Sequence, residues 1–315
     1  MSTNPFKAFV PFVVNSAAYD SDADHLQVTD PSGGDWRRIG LAEPIKGEGF
    51  AVKLQGRDLI CAVQINERIL PGKVRDEALV KLVAKTEKLD GRKVSKKEYA
   101  QLREQVEFEL LPKAFIRRTV VPVIFTKLDE HRDFMLICTS SAKRADDCAA
   151  VMLALYGDAL KASALQVNAP LPGQFRTLAL GESWGIDGML ADFGPTDSIV
   201  LKGSDKKRIS IKDKPIDERD VQDIVSLAEY NVVEMGMAYG DEWDTAPVLT
   251  FTVNESLIFK RIETPGIKTT GKDYDLHAHA TYVSMEYRKM LIDFIEACGG
   301  LAGASTSGSD EDDEL

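Results

Sequence analysis

KVRDEALVKLVAKTEKLDGRKVSKKEYAQLREQVEFELLPKAFIRR, running from Lys73 to Arg118, is the stretch on which the reading of this chain turns. Val74, Ala78, Leu82 and Leu89 recur at helical spacing, and Asp90-Gly91 supplies a stop. Ser95-x-x-Glu98 has the form of a capping box, in which serine and glutamate satisfy each other's free amides at a helix start. Tyr99, Leu102, Val106 and Leu110 then mark the apolar side of a second helix, which Pro112 ends. Between the two helices stand Lys88, Arg92, Lys93, Lys96 and Lys97. A basic hairpin tip of this kind reads either as a solvated surface or as a tool for binding anions, nucleic acid among them.

That local charge runs against the chain as a whole. The 315 residues carry a formal net charge of −11, so the entire surface is not a general polyanion binder. Screening nevertheless confines each patch to roughly 10 Å at moderate salt, which leaves room for a local basic groove. No apolar run approaches the ~20 residues of a membrane-spanning helix. Cys61, Cys138, Cys148 and Cys298 show no metal-binding spacing, and three of the four sit in apolar runs and read as small buried hydrophobes in a reducing, cytoplasmic setting.

Upstream of the hairpin, Ala8 to Asn15 reads as a buried strand, and Ser16 to Trp36 as polar loop. Phe50 to Gln55 and Leu59 to Asn66 form a strand pair across Gly56-Arg57-Asp58. Downstream, Val120 to Leu128 and Phe134 to Thr139 form another, across Asp129 to Asp133. Ser140-Ser141 opens a helix from Ala142 to Tyr156. Beyond a Pro- and Gly-containing link, Phe175 to Leu180 and Ser198 to Lys202 are predicted strands, followed by a basic segment to Lys214. Pro215 to Asn231 is a predicted helix. Val232 to Tyr239, Val248 to Val253 and Leu257 to Glu263 form a meander, and Tyr282 to Cys298 is the last helix.

The fold class expected is α+β, with mixed, hairpin-rich sheets and a protruding two-helix finger. Residues 1–72 and 116–168 would make a central module, 73–115 the finger and 169–301 a second module. Residues 302–315, with their acidic run from Asp310 to Glu314, would be a disordered tail. That tail reads as a solubilising end, an intramolecular competitor for the basic patch, or a docking peptide, and a tail that mimics DNA would make the chain a protein-interaction factor instead.

Three patterns suggest chemistry. Gly181-Glu182-Ser183-Trp184-Gly185 matches a nucleophile elbow in letters, but a poor helix start follows it, so a turn is the better reading. His277-x-His279, with Asp273 and Asp275 nearby, would put two imidazoles on one face of a strand, yet further ligands at a usual spacing are missing; no metal or other cofactor is expected. Asp197, Asp205 and Lys207 loosely match the carboxylate and lysine set of a Mg²⁺-dependent exonuclease, the alternative to a non-enzymatic reading.

Leu59-Ile-Cys-Ala-Val, Glu67-Arg68-Ile69-Leu70-Pro71, the two helices after it, Leu110-Leu111-Pro112-Lys113-Ala114-Phe115, and Cys138-Thr-Ser-Ser-Ala142-Lys143-Arg144-Ala145-Asp146-Asp147 together resemble the RdgC family of recombination-associated proteins. Looser similarity runs through Arg37 to Pro44, Ile199 to Lys202, Leu257 to Ile262 and the final helix ending at Gly299-Gly300. The resemblance implies a ring-shaped homodimer that encircles double-stranded DNA with little sequence preference, and that limits access of a RecA-type recombinase to shared DNA. It implies a cytoplasmic, nucleoid-associated protein with no membrane partner. It would place Arg92 on the finger that approaches DNA, Phe115 at a dimer gate with Lys113 beside it, and Lys206, Lys207 and Arg208 at a second, DNA-facing gate. Arg92, Lys113, Lys206, Lys207 and Arg208, with Lys88, Lys93, Lys96, Lys97, Arg117 and Arg118, make up the expected DNA-binding set, and Phe115 the dimer contact. The chain departs from the family's pattern in the short 16–36 region, in 165–195 and in the added acidic tail, as a phage-encoded or divergent member would.

Overall fold

A computed structural model of the chain describes residues 4–16, 26–182, 192–242, 244–267 and 274–303. In the first half the strands are β1 (Ala8–Asn15), β2 (Arg37–Ala42), β3 (Ala51–Lys53) and β4 (Leu59–Ile69). The helices α1 (Gly72–Asp90) and α2 (Lys96–Leu110) come next, followed by β5 (Phe115–Lys127), β6 (Arg132–Ile137), α3 (Ala142–Tyr156) and the short β7 (Ser163–Ala164). The second half holds α4 (Leu171–Ala179), β8 (Phe193–Gly203), β9 (Arg208–Lys212), α5 (Arg219–Ser226), β10 (Tyr230–Tyr239), β11 (Leu249–Asn254), β12 (Phe259–Glu263) and α6 (Leu276–Ala297).

Among the described residues the strands join into one antiparallel sheet in the order β2-β4-β5-β6-β1-β12-β11-β10-β8-β9, with β3 beside β4 and β7 beside β1. β1 is the seam. Its first residues, Ala8 and Phe9, pair with β12, while Val10 to Asn15 pair with β6. The architecture is therefore α+β, as expected.

Strand alternation sends side chains to two cores. Leu59, Cys61, Val63 and Ile65 of β4 meet Ala145, Cys148 and Met152 of α3 on one face. Ile60 and Ile124 turn to the other face, where Tyr287, Met290 and Phe294 of α6 and Phe175 of α4 lie. A polar tie crosses that second face: the buried Asp58 accepts from Thr126 Oγ1 at 2.9 Å and from Arg288 Nη1 at 3.3 Å. All four cysteines are buried, one more than the three expected from apolar runs, and desolvation pushes the Cys61, Cys148 and Cys298 thiols up to about 12.

Several expectations need correction. Phe175 to Leu180 is helical: Leu171, Phe175, Leu178 and Ala179 are buried at helical spacing in α4. The signal was split because the first of these lies outside the six residues read as a strand. The predicted helix 215–231 shrinks to α5, since Tyr230 already pairs with Gly203 in β10. His277 and His279 lie in the first turn of α6, not on a strand, because Asp275 caps that helix by accepting from His277 N at 2.9 Å and Ala278 N at 3.2 Å. β2 was not foreseen as a strand. Gly40 in it lets residues 26–28 approach, since a Cβ there would lie 2.5 Å from the Leu26 carbonyl oxygen. The described residues include no helix long and apolar enough to cross a membrane.

Candidate nucleic-acid interface

α1 and α2 pack on one another and bury one residue each, Leu79 and Val106. Of the residues whose spacing marked the apolar side of α1, Ala78 and Leu82 are half-buried, but Val74 and Leu89 are exposed. Tyr99 of α2 is exposed as well. Gly91 closes α1 with a φ of 64°, a left-handed conformation that glycine adopts without a Cβ penalty. The predicted capping box is present. Glu98 N donates to Ser95 Oγ at 3.3 Å, and Ser95 N donates to Glu98 Oε2 at 2.8 Å.

Arg92 has a defined local partner. Its guanidinium grips Glu98 with both terminal nitrogens, one of them at 2.9 Å, and lies 3.9 Å from Asp90. The Arg92 hydrogen bond, with support from Ser95, holds the Glu98 carboxyl well below the usual carboxylate range. Arg92 thus shapes the turn. Lys88, Lys93, Lys96 and Lys97 are exposed and form no salt bridge among the described residues. From Lys88 to Glu98 there are five cations and two carboxylates, and Arg92 engages both carboxylates. Four uncommitted ammonium groups remain.

The base of the hairpin feeds the long β4–β5 ladder, which pairs Leu59 with Phe125 at one end and Ile69 with Phe115 at the other. Phe115 is 86% exposed, with its cross-strand neighbour Ile69 41% exposed. Lys113 is exposed in the turn just before. Arg117 pairs with Glu67 across the ladder, and Arg118 Nη2 lies 2.6 Å from Asp30. Both keep more than half of their side-chain surface in solvent.

The second basic group lies far off, on the β8–β9 edge of the sheet. Lys207 Nζ is 2.8 Å from Asp205, whose carboxyl that contact holds low, while Lys206 and Arg208 are exposed. Register adds residues to the expected DNA-binding set. Lys202 pairs with Arg208 and Ser198 with Lys212, so Lys202, Arg208 and Lys212 share the outward face, while Ile199 and Leu201 point into the core. Period-two alternation within the predicted strand could have found Lys202; the pairing of Lys212 needed the ladder.

The remaining chemical patterns are not assembled. Asp197 stands on β8 six residues before Gly203, roughly 20 Å along an extended strand, so it does not join Asp205 and Lys207 in one site. His277 Nε2 lies 2.9 Å from the Lys53 carbonyl, while His279 Nδ1 lies 3.0 Å from the Tyr274 hydroxyl, so the imidazoles serve separate contacts. Asp273 falls outside the described residues, and no metal-holding cluster of three such side chains occurs among the described ones. Gly181 ends α4 in a turn, with a helix and not a strand before it; Ser183, Trp184 and Gly185 lie outside the described residues.

A family model described as "Putative exonuclease, RdgC" matches residues 6–301. Among relatives named recombination-associated protein RdgC, that of Shewanella denitrificans is 31% identical over 149 residues, covering 47% of this chain and 48% of that protein. The relative from Pseudomonas entomophila is 26% identical over 260 residues, 79% of each chain. That from Cupriavidus pinatubonensis is 25% identical over 270 residues, 83% of this chain and 85% of its own. The chain spans about half the length of the Shewanella relatives and more of the others. With the family pattern running through both halves of the sheet, both cores and the helical hairpin between them, this chain belongs to the RdgC family.

Proposed function

We propose that the protein binds double-stranded DNA with little regard to sequence and acts in recombination, encircling the duplex as a homodimer and limiting a recombinase's access to it. The observation that carries this reading is the set of free lysines, Lys88, Lys93, Lys96 and Lys97, on a capped helical turn of an otherwise acidic chain. Flexible ammonium groups on a fixed turn neutralise phosphates without reading bases. Lys113, Arg117 and Arg118 at the hairpin base, and Lys206, Lys207 and Arg208 on the ribbon, would extend the track along the backbone. Arg92 would hold the tip in shape through Glu98 while keeping an exposed edge toward the phosphates.

The dimer contact is assigned to Phe115. An aromatic ring with 86% of its surface in water, beside a half-exposed isoleucine, has apolar area available for a partner. Such an anchor can dominate an interface once buried. The relatives' name, recombination-associated protein, supports the pathway.

The family description keeps an exonuclease in view. It has less support in these residues, because Asp197 is remote from Asp205 and Lys207. One experiment separates the two readings. Purified protein is incubated with labelled linear duplexes of unrelated sequence, with and without Mg²⁺, across a salt series, and run on native and denaturing gels. Retarded, intact DNA with similar affinity for each duplex is expected. Shortened strands would support the nuclease instead, and no retardation at low salt would overturn DNA binding.

A further inference from the structure

The outward face of β8 and β9 carries Lys202, Arg208 and Lys212, with Lys206 in the turn between the strands; all four are exposed and form no salt bridge among the described residues. A second feature lies at the same end of the sheet. Residues 300–302 are pinned along residues 166–168: Asn168 N donates to the Gly300 carbonyl at 3.1 Å, Ala302 N donates to the Gln166 carbonyl at 3.0 Å, and Val167 bridges Leu301. Residues 163–165 in turn run antiparallel to β1. Residues 300–302 therefore run parallel to β1, toward its Asn15 end.

Following the ladder, β12 is antiparallel to β1, β11 to β12, β10 to β11 and β8 to β10. β8 thus runs parallel to β1, and its final residue, Gly203, lies at the same end of the sheet as Asn15. The basic turn and the root of the C-terminal segment share one end. The helical hairpin lies the other way: β5 also runs parallel to β1, and it begins at Phe115, eight residues before Val123, which is level with Ile137 and Val10. That extension alone carries the hairpin base ~27 Å off in the opposite direction.

Residues 304–315, ASTSGSDEDDEL, hold five carboxylate side chains and no cation. They span at most ~40 Å when extended. Four strand spacings separate β12 from β9, ~19 Å. The acidic run can reach the ribbon from its root, and the lysines of the hairpin tip lie beyond the opposite end.

We propose that the acidic segment 310–314 docks in cis on the outward face of the β8–β9 ribbon, against Lys202, Lys206 and Arg208, and competes there with DNA phosphates for the same cations. The competition rests on the DNA-binding reading; the docking itself does not. Free polyanion would have to displace the segment from the ribbon before gaining those contacts, whereas the hairpin tip stays open at all times. The device sets a threshold: loose, tip-only contact at low DNA concentration, and full contact once the duplex outcompetes the segment.

Two measurements test it on the full-length chain. In the first, without DNA, a carbodiimide joins carboxylates to nearby amines and the linked peptides are identified by mass spectrometry. Links from residues 310–314 to Lys202 or Lys206, in a yield independent of protein concentration, are expected. Links only to Lys88 to Lys97, links found only between copies, or none at all would overturn the proposal. In the second, the quintuple variant D310N/E311Q/D312N/D313N/E314Q should bind a fluorescent duplex about tenfold more tightly at low salt. That gain should vanish in a K202E/R208E background, and an equal gain in both backgrounds would defeat the competition. Cross-links to the ribbon in a protein that retains no duplex would sink DNA binding and leave the docking standing.

Discussion

The α1–α2 hairpin and the β8–β9 ribbon are both basic, yet they are built in opposite ways. The hairpin buries one side chain in each helix and owes its shape to local devices, the Gly91 closure, the Ser95–Glu98 box and the Arg92 grip. The ribbon rests on Ile199 and Leu201, both fully buried in the larger core. In each, the cation beside an acid is committed to the turn, Arg92 to Glu98 and Lys207 to Asp205, and its neighbours stay free. A run of positive charge is therefore not a uniform binding surface. Local acids decide which members hold the fold and which are left for a partner.

The comparison breaks first in stability. Leu201→Ala should lower global unfolding free energy by about 3 kcal/mol in urea titration, as buried leucine truncations do. Leu79→Ala should chiefly loosen the hairpin, seen as faster amide exchange in α1 and α2 with the sheet still protected. If both variants shift the global midpoint equally, the hairpin unfolds together with the sheet and not as a unit of its own.

Binding is the next level. Replacing Lys93, Lys96 and Lys97 together by alanine should flatten the slope of log affinity against log salt by about 2.7 units for duplex DNA. Removing Lys206 and Arg208 should flatten it by less while the acidic segment is present. Ser95→Ala should then cost about 1 kcal/mol of hairpin stability through the lost cap, read as faster exchange of the Glu98 amide.

The smallest effects concern Arg92. Arg92→Ala should flatten the salt slope by less than about one unit, because the side chain is already paired. A larger change would make Arg92 a phosphate ligand first and a turn residue second. Acid sharpens the same point. Glu98 has its folded pKa held below the ordinary carboxylate value, so its contribution is present above that ordinary value and is lost as pH falls toward the folded one. The first turn of α2 should fray in that acid window, and Arg92→Ala should move the fraying to higher pH.

Much of this was legible in the chain itself. The capping box and the Gly91 stop rest on contacts within four residues, so Ser95 and Glu98 announce α2 without help from the rest of the protein. The hairpins β3–β4 and β5–β6 and the β10–β11–β12 meander join neighbouring segments, and alternation with turn residues suffices to find them. Where the decisive signal sat at the edge of a window, reading failed: Leu171 reveals the period of α4, and Asp275 the start of α6.

The basic positions were visible as letters, but their roles were not. Nothing in sequence spacing ties Arg118 to Asp30, Arg117 to Glu67 or Arg68 to the Leu111 carbonyl, since these partners meet only once the chain has folded. Nor could spacing separate Asp197 from Asp205, which a rigid strand holds apart although eight positions of flexible chain would let them meet.

By itself, then, the amino-acid sequence determined the helical hairpin, its basic tip, the short-range strand pairs and the family. Each of these depends on local periodicity or on residue order. Only the tertiary structure decided that β1 stitches both halves into one sheet, that Lys202 and Lys212 join Arg208 on one face, and that the two basic regions lie at opposite ends. Those facts arise from pairing between distant segments, where burial and ladder hydrogen bonds choose the partner.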